Sequence, residues 1–383
     1  MYSESYECEE ASDETPRVLY PAVMRVSTPP VLRAPSPPRT PSPPRPQTVP
    51  HPTFYFTDGD IALSARESDM LTYIFRVHRL FLRHHSEGLR DMVTAAVVGQ
   101  TVNEYDGVPL IIMSEEDTAQ DLAGLLQVMY DISALPRILG ADRRADAPIM
   151  LDSLLEMSQK YGMGGVASAI TEHIRKEWPT TLQQWEVRQL ELQSTTSHET
   201  LPEPVAAIQF ATAYDIPSVL PAAFYHLAVV PTKRDWRDVP GAPGTPNATC
   251  PENVQAARWF SLDDCNAVRF VKGRDALLDY YFTHFADDME PPVNPYNRRR
   301  ETGCTCDFSP LRTEIRLAAT CQHLDPLLAL KKLIERCDHA LTFCPTCLVR
   351  VRGNFMKLRR DIWDRLPEFF GVQTGTNRLT WGD

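Results

Sequence analysis

The prediction of the fold starts from the stretch FRVHRLFLRHHSEGLRDMV, Phe75 to Val93. At its start, Phe75 and Val77 alternate with arginine and histidine, which is the period-two pattern of a half-buried strand. Leu82 and Leu89 then recur at helical spacing. The sequence therefore predicts a strand that turns directly into an amphipathic helix, around which other strands and helices can pack.

This strand-to-helix corner resembles the BTB/POZ domain, a family marked here by the pattern F-x-x-H-[KR]-x-x-L-x-x-x-S. A D-x-x-L segment before the corner and a tyrosine that ends an L-L-x-x-x-Y helix after it also resemble the family. The positions that carry the resemblance are Asp60, Phe75, His78, Arg79, Leu82, Ser86 and Tyr130. The resemblance covers residues 54–178 and implies an α+β unit, a small mixed sheet flanked by helices. More loosely, the whole chain resembles fungal proteins with one BTB domain and a helical C-terminal half.

Composition and pattern divide the chain into four regions. We expect a disordered Pro/Ser/Arg-rich tail over 1–52, the BTB-like domain over 53–178, a helical extension over 179–300 and a cysteine-containing helical hairpin region over 301–383. The extension resembles, by pattern alone, the BACK-type helices that follow BTB domains. Within these regions, residues 133–148 are interpreted as a loop insertion and Gly273 as a break between helical segments.

The N-terminal tail is rich in proline. It holds 13 of the 33 prolines, and its run RAPSPPRTPSPPRP over residues 33–46 favours polyproline II. Ser36, Thr40 and Ser42 each precede a proline and are candidate acceptors for proline-directed kinases. Docking of this segment in an SH3-type groove and a solvated tail without a dedicated partner are both open interpretations.

The overall charge and hydropathy exclude several classes of protein. A net charge of −11 argues against bulk attraction to nucleic acid or to an anionic membrane surface. No run of 18 apolar residues is present, and the first ten residues, MYSESYECEE, lack the features of a secretory signal. We therefore expect an intracellular protein, of cytoplasm or nucleus, whose nine cysteines do not form a disulfide framework.

The last region carries the only metal-like chemistry in the sequence. Cys304 and Cys306 form a C-x-C pair, and Cys344 and Cys347 form a C-x-x-C pair. If helices over 310–323 and 327–340 fold back as a hairpin, the four thiolates meet as a tetrahedral zinc site. If the chain instead continues as one long helix through Pro326, the pairs lie about 45 Å apart and no site forms. Reduced structural thiols and a redox-sensitive C-x-x-C pair are the alternatives.

No motif for nucleotide binding, metalloprotease or serine hydrolase chemistry is present in the sequence. His78 fits either a charged pocket with Asp60 and Arg79 or, as we favour, a structural hydrogen bond at the corner. We therefore expect a non-enzymatic protein-interaction module, an adaptor or regulatory protein that forms homo- or hetero-oligomers. The resemblance implies a homodimer through the BTB-like domain and contact with a cullin-type ubiquitin ligase scaffold. The alternatives are a zinc-stabilised regulatory protein that binds its partner through the C-terminal helices and a cysteine-based redox sensor.

Overall fold

Five strands form one curled sheet in the first part of the described chain. The structure, a computed structural model, describes residues 47–98, 103–140, 144–194, 200–238, 255–287, 306–311, 313, 325–339, 343–373 and 381. The strands are β1 (Gln47–Tyr55), β2 (Ile61–Ser68), β3 (Leu71–Val77), β4 (Glu104–Tyr105) and β5 (Val108–Ile112). Their order across the sheet is β1-β3-β2-β5-β4.

The sheet is mixed in direction. β2 and β3 form an antiparallel hairpin in which Ile61 lies opposite Val77. β5 runs parallel to β2, β1 runs parallel to β3, and β4 pairs antiparallel with β5. Of the helices that follow β3 and β5, α2 (Glu87–Val98) contacts β5 and α3 (Ala119–Tyr130) contacts β2. The α+β class is therefore confirmed, whereas the BTB/POZ fold itself stays a prediction.

Strand β1 corrects the predicted extent of the N-terminal tail. Residues 47–52 were assigned to the tail because they contain Pro50 and Pro52, but they form the first part of β1. β1 is an edge strand, where a missing backbone N–H is tolerated. The His51 ring also stacks on Phe75 of the neighbouring strand, with ring centroids 4.4 Å apart. The rest of the predicted tail lies outside the described residues.

Six helices accompany the sheet, namely α1 (Arg79–His85), α2 (Glu87–Val98), α3 (Ala119–Tyr130), α4 (Ala134–Leu139), α5 (Ala147–Lys160) and α6 (Gly164–Glu177). The interpretation of 133–148 as a loop was wrong in part, because α4 lies within it. Pro136 falls in the first turn of α4, where a helix does not need its N–H. α3 was predicted from its apolar face, and it buries Leu122, Leu125 and Leu126.

The remainder of the described chain is helical. It contains α7 (Leu182–Ser194), α8 (Pro204–Ala213), α9 (Leu220–Val229), α10 (Asp264–Asp287), α11 (Pro326–His339), α12 (Pro345–Asp364) and α13 (Leu366–Phe369), with short 3-10 helices at Trp236–Asp238 and Trp259–Ser261. Its largest fully buried side chains include Trp185, Tyr225 and Trp363, which contact one another. Within the described ranges, no helix combines the length and apolar character needed to cross a bilayer.

Gly273 does not break its helix, so that prediction was wrong. α10 runs through it without interruption. A Cβ at Gly273 would collide with Cδ1 of Phe370, so the ring lies directly against the helix backbone. The glycine is therefore explained by the close approach of Phe370, which also stacks on Phe224 of α9.

Candidate functional site

An aspartate fixes the start of the first helix at the strand-to-helix corner. Asp60 precedes β2, and its Oδ1 accepts the backbone N–H of Arg79 at 2.7 Å. Its Oδ2 accepts Nε of the same arginine at 2.8 Å. Burial favours the neutral acid, but the hydrogen bonds and charge of Arg79 outweigh this and lower the pKa of Asp60. Asp60 therefore acts as an ionised cap for α1.

A tyrosine from the end of α3 holds the other side of the corner. The hydroxyl of Tyr130 accepts the backbone N–H of His78 at 2.9 Å and lies 3.0 Å from Nδ1 of the His78 ring. The Tyr130 ring is also stacked with Phe56 and Phe81, at centroid distances of 5.2 and 4.6 Å. The opposite ring nitrogen, Nε2, lies 3.5 Å from Oδ1 of Asp58. These contacts give His78 a structural role, in which its hydrogen bonds to Tyr130 hold the backbone at the corner.

A serine divides the predicted amphipathic helix into two, so the expectation of a single helix carrying both Leu82 and Leu89 was wrong. Ser86 has extended backbone angles, φ −138° and ψ 124°, between α1 and α2. Its Oγ accepts the N–H of Leu89 at 3.0 Å and donates to the carbonyl of Tyr161 at 2.5 Å. Ser86 is therefore an N-cap for α2, and it ties that helix to the end of α5.

Of the seven positions that carry the resemblance, the corner brings Asp60 into contact with Arg79 and Tyr130 into contact with His78. Phe75, Leu82 and Leu89 are completely buried and anchor the corner in the core. By contrast, the first turn of α1 presents two apolar side chains to solvent. Leu80 is 76% exposed and Phe81 is 37% exposed. The corner thus leaves apolar side-chain surface of α1 exposed to solvent.

Three of the four predicted metal ligands meet in the C-terminal region. The sulfur atoms of Cys306, Cys344 and Cys347 all lie within 4.8 Å of one another. Cys344 is the N-cap residue of α12, Cys347 lies in its first turn, and the Cys344 N–H donates to Sγ of Cys306 at 3.1 Å. The fourth predicted ligand, Cys304, lies outside the described residues.

Aromatic packing holds the cysteine segments together. The Phe308 ring stacks on Phe343, with centroids 4.7 Å apart, and these residues flank Cys306 and Cys344 in sequence. Three thiolates bound to one zinc at about 2.3 Å would have sulfur separations of about 3.8 Å. The observed trio therefore needs a contraction of about 1 Å or less to hold zinc, and thiolate sulfur is a ligand that zinc prefers.

The second helix of the predicted hairpin, over 327–340, is observed as α11, whereas the hairpin itself falls largely outside the described residues. α11 and α12 pack against each other, and the cysteine trio lies where α12 begins. Most of the predicted helix over 310–323 lies outside the described residues. Cys337 is buried in the core and is not a member of the trio.

Two buried carboxyl groups were missed by sequence reasoning. Asp325 accepts the Leu328 N–H at 2.9 Å and the Tyr225 hydroxyl at 2.6 Å. Burial raises its pKa, although these hydrogen bonds oppose the shift. Glu203 caps α8 through the N–H groups of Val205 and Ala206, and burial raises its pKa also. The signal at Asp325 was an Asp-Pro pair at a helix start, a typical N-cap and first position.

The candidate phosphorylation sites Ser36, Thr40 and Ser42 lie outside the described residues. Comparison of the chain with protein-family models, with curated proteins and with solved structures finds no match in any of the three.

Proposed function

We propose that this protein is a non-catalytic protein-interaction module that self-associates through helix α1. The observation that carries the proposal is the exposure of Leu80 and Phe81 on a helix whose next residue, Leu82, is completely buried. An apolar pair on a rigid element can bind a copy of itself without first becoming ordered, which lowers the entropic cost of association. A two-fold interface would place this patch against the same patch of a second copy.

The surroundings of α1 support a preorganised interface. Asp60 fixes its first residue, Tyr130 fixes the residue before it, and Ser86 ends it. Phe81 packs on Tyr130 rather than moving freely. An interface of this kind gains specificity from an apolar centre with a polar rim, which Arg79, Arg83 and His84 would supply.

The hydrogen bonds of the buried titratable side chains support the proposal that the protein has no catalytic activity. The deeply buried carboxyls Asp325 and Glu203 have raised pKa values, a feature often found in general acids. Both, however, accept backbone N–H groups at helix starts, so their burial has a structural explanation. His226, also deeply buried, is bonded to Gln255 at 3.1 Å.

Co-purification of two tagged copies tests self-association. Two full-length copies with different tags are expressed together, and one tag is used for capture. We expect the second copy to be recovered with the first. We expect this recovery to be lost with Leu80→Asn, which removes apolar surface without adding charge. Leu190→Asn is the matched control because Leu190 is also an exposed helical leucine, 56% exposed on α7. Recovery that is unchanged by Leu80→Asn would reject α1 as the interface.

An adaptor role, in which a second face contacts a cullin-type scaffold, follows from the BTB resemblance. The same capture experiment tests this role when a purified cullin N-terminal domain replaces the second copy. Retention of that domain by the full chain supports the adaptor role. No retention at high micromolar concentration rejects it and leaves self-association standing.

The second candidate function is that of a zinc-stabilised regulatory protein, favoured by the trio Cys306, Cys344 and Cys347. Zinc there would join the segment at 306–308 to the start of α12, with Cys304 as the fourth ligand. Such a site would stabilise the helical surface formed by α11 and α12. The surface, in this alternative, binds the partner.

Metal analysis of the full chain tests the second candidate. The proposal expects about one zinc per chain, its loss with Cys344→Ser, and a fall in helical content when the metal is removed by a chelator. Cys265→Ser is the control because Cys265 is exposed on α10 and lies apart from the trio. Metal-free protein with unchanged helicity would reject the zinc site in favour of reduced structural thiols.

A further inference from the structure

Helix α12 has one face in the core and one face in solvent, and the face in solvent is basic. The apolar side chains of its inner face are buried, namely Cys347, Val351, Phe355, Leu358 and Ile362. The outer face exposes Arg352, Lys357 and Arg360, with the half-buried Arg350 at its edge. The first acidic residue of α12 is Asp361, after all of these. The outer face is therefore positive, although the chain as a whole has a net charge of −11.

Two of these cations are not used to hold the chain together. Among the described residues, the ion pairs formed by the end of α12 and the residue after it join Arg359 to Glu186 and Arg365 to Glu368. Lys357 and Arg360 take part in neither pair. Their charges are therefore available to a partner outside the chain.

Apolar surface runs along the same outer face. Val349 is 72% exposed and Met356 is 43% exposed. With Gly353 they occupy positions i, i+4 and i+7, which lie on one side of a helix. A Cβ at Gly353 would meet no atom within 4 Å, so no close contact explains the glycine. Glycine weakens a helix but lets another backbone approach closely.

We propose that this outer face of α12 binds an acidic amphipathic helix from a partner protein. The apolar stripe of that helix packs on Val349, Gly353 and Met356, and its flanking carboxylates pair with Lys357 and Arg360. This is helix-to-helix recognition by an apolar centre with charged flanks. The inference rests on the second candidate function, because it assigns the partner-binding surface of that candidate to one face and gives the partner its chemistry.

Other occupants match this face less well. A second copy of the face in a two-fold contact would bring Lys357 and Arg360 against the same charges, which is repulsive. Nucleic acid would neutralise the charges but would offer phosphates, not apolar surface, to Val349 and Met356. Insertion into a bilayer needs a longer apolar face than two side chains provide. An acidic helix satisfies both the charges and the apolar stripe.

Selection from a peptide library tests the chemistry of the partner. Random peptides of about 16 residues, which span about 24 Å as a helix, are displayed on phage and selected on the immobilised full-length chain. We expect the enriched peptides to be acidic, with apolar residues at i, i+3 or i+4, and i+7. Enrichment of neutral or basic peptides would overturn the proposal, as would a selection that enriches none.

An apolar substitution locates the bound peptide on α12. Fluorescence anisotropy measures the affinity of the most enriched peptide for the full-length chain and its variants. Met356→Asn should weaken binding by about five-fold or more, because it removes apolar surface from the centre of the face. Met150→Asn is the matched control, a methionine 54% exposed on α5, and it should keep the native affinity. Equal affinities of these two variants would overturn the proposal.

A charge substitution tests the flanks of the same face. Lys357→Gln combined with Arg360→Gln should weaken peptide binding by about five-fold, the effect of losing two exposed ion pairs. Arg175→Gln combined with Lys176→Gln is the matched control, because these side chains form an exposed basic pair on α6. The control should bind as the native chain does. A peptide that is insensitive to the loss of Lys357 and Arg360 would contradict recognition by charge.

The remaining probes separate this inference from other outcomes. Binding of a short DNA duplex or of phosphatidylserine vesicles that needs Lys357 and Arg360, without selection of acidic peptides, would overturn the proposal. Acidic-peptide binding that persists in zinc-free protein supports the inference and rejects only the zinc site. Bound zinc without acidic-peptide binding rejects the inference and leaves the zinc site standing. Circular dichroism of each variant verifies that it is folded.

Discussion

The backbone N–H of His78 donates a 2.9 Å hydrogen bond to the hydroxyl of Tyr130, 52 residues later in the chain. This bond joins the end of β3 to the end of α3 and closes the corner from which α1 starts. A donor at the end of a strand has no partner in the sheet, so a side chain from a distant element supplies one. The orientation of α1, and of the exposed Leu80, depends on this closure.

Removal of the Tyr130 hydroxyl tests its contribution. Tyr130→Phe keeps the ring packing but leaves the half-buried His78 N–H without its acceptor. We expect the free energy of unfolding to fall by about 1–2 kcal/mol. Chemical denaturation of the full chain, followed by circular dichroism, measures the change.

Tyr73→Phe is the control for this change. Tyr73 lies in β3, and the described part of the chain offers its hydroxyl no hydrogen bond. Its removal should alter the free energy of unfolding by less than about 0.5 kcal/mol. Equal effects of the two substitutions would mean that the His78–Tyr130 bond contributes nothing specific.

Gly273 and Gly353 should respond in opposite directions to alanine. Gly273→Ala places a methyl group against the Phe370 ring, and overpacking of this kind costs about 1–3 kcal/mol. Gly353→Ala meets no atom within 4 Å and should stabilise α12 by up to about 1 kcal/mol. Thermal unfolding of both variants checks the prediction, and a stabilised Gly273→Ala would contradict the packing of Phe370 on α10.

His226 should make the protein sensitive to mild acid. Burial lowers its pKa to about 4 from an ordinary value of 6.5, with a smaller contribution from the charge of Arg188, while the bond to Gln255 opposes the shift. Because the unfolded chain binds the proton first, stability is fully present above pH 6.5 and is lost as the pH falls toward 4. The loss attributable to this group is about 3 kcal/mol at most.

Comparison of His226→Gln with the native chain measures this effect. The variant should show a shallower fall in unfolding free energy between pH 6.5 and pH 4.5, whatever its stability at neutral pH. His84→Gln, at an exposed position, should keep the native slope. Identical slopes in the native chain and His226→Gln would show that the imidazole does not resist protonation in the fold.

The periodicity of apolar residues was enough to predict those strands and helices that depend only on residues close in sequence. Alternation at Phe75 and Val77 gave β3, and the apolar face of α3 gave that helix. The split at Ser86 was missed although serine is a typical N-cap, here of the Leu89 N–H; its second hydrogen bond, to the carbonyl of Tyr161, involves a distant element. Nothing near Ser86 in sequence indicates that bond.

The same limit applies to the candidate sites. Glycine is typical of a helix break, and only the position of the Phe370 ring shows why a glycine is needed at position 273. The cysteine pairs suggested a cluster, but its location at the start of α12 depends on packing of Phe308 on Phe343.

Sedimentation equilibrium of the full chain tests the central claim most directly. From low to high micromolar concentration, we expect a reversible shift in mass from one copy, 43.3 kDa, to two. We expect that Leu80→Asn keeps the mass of one copy throughout, while Leu190→Asn behaves as the native chain does. A native chain that stays at the mass of one copy at high micromolar concentration would contradict self-association through α1.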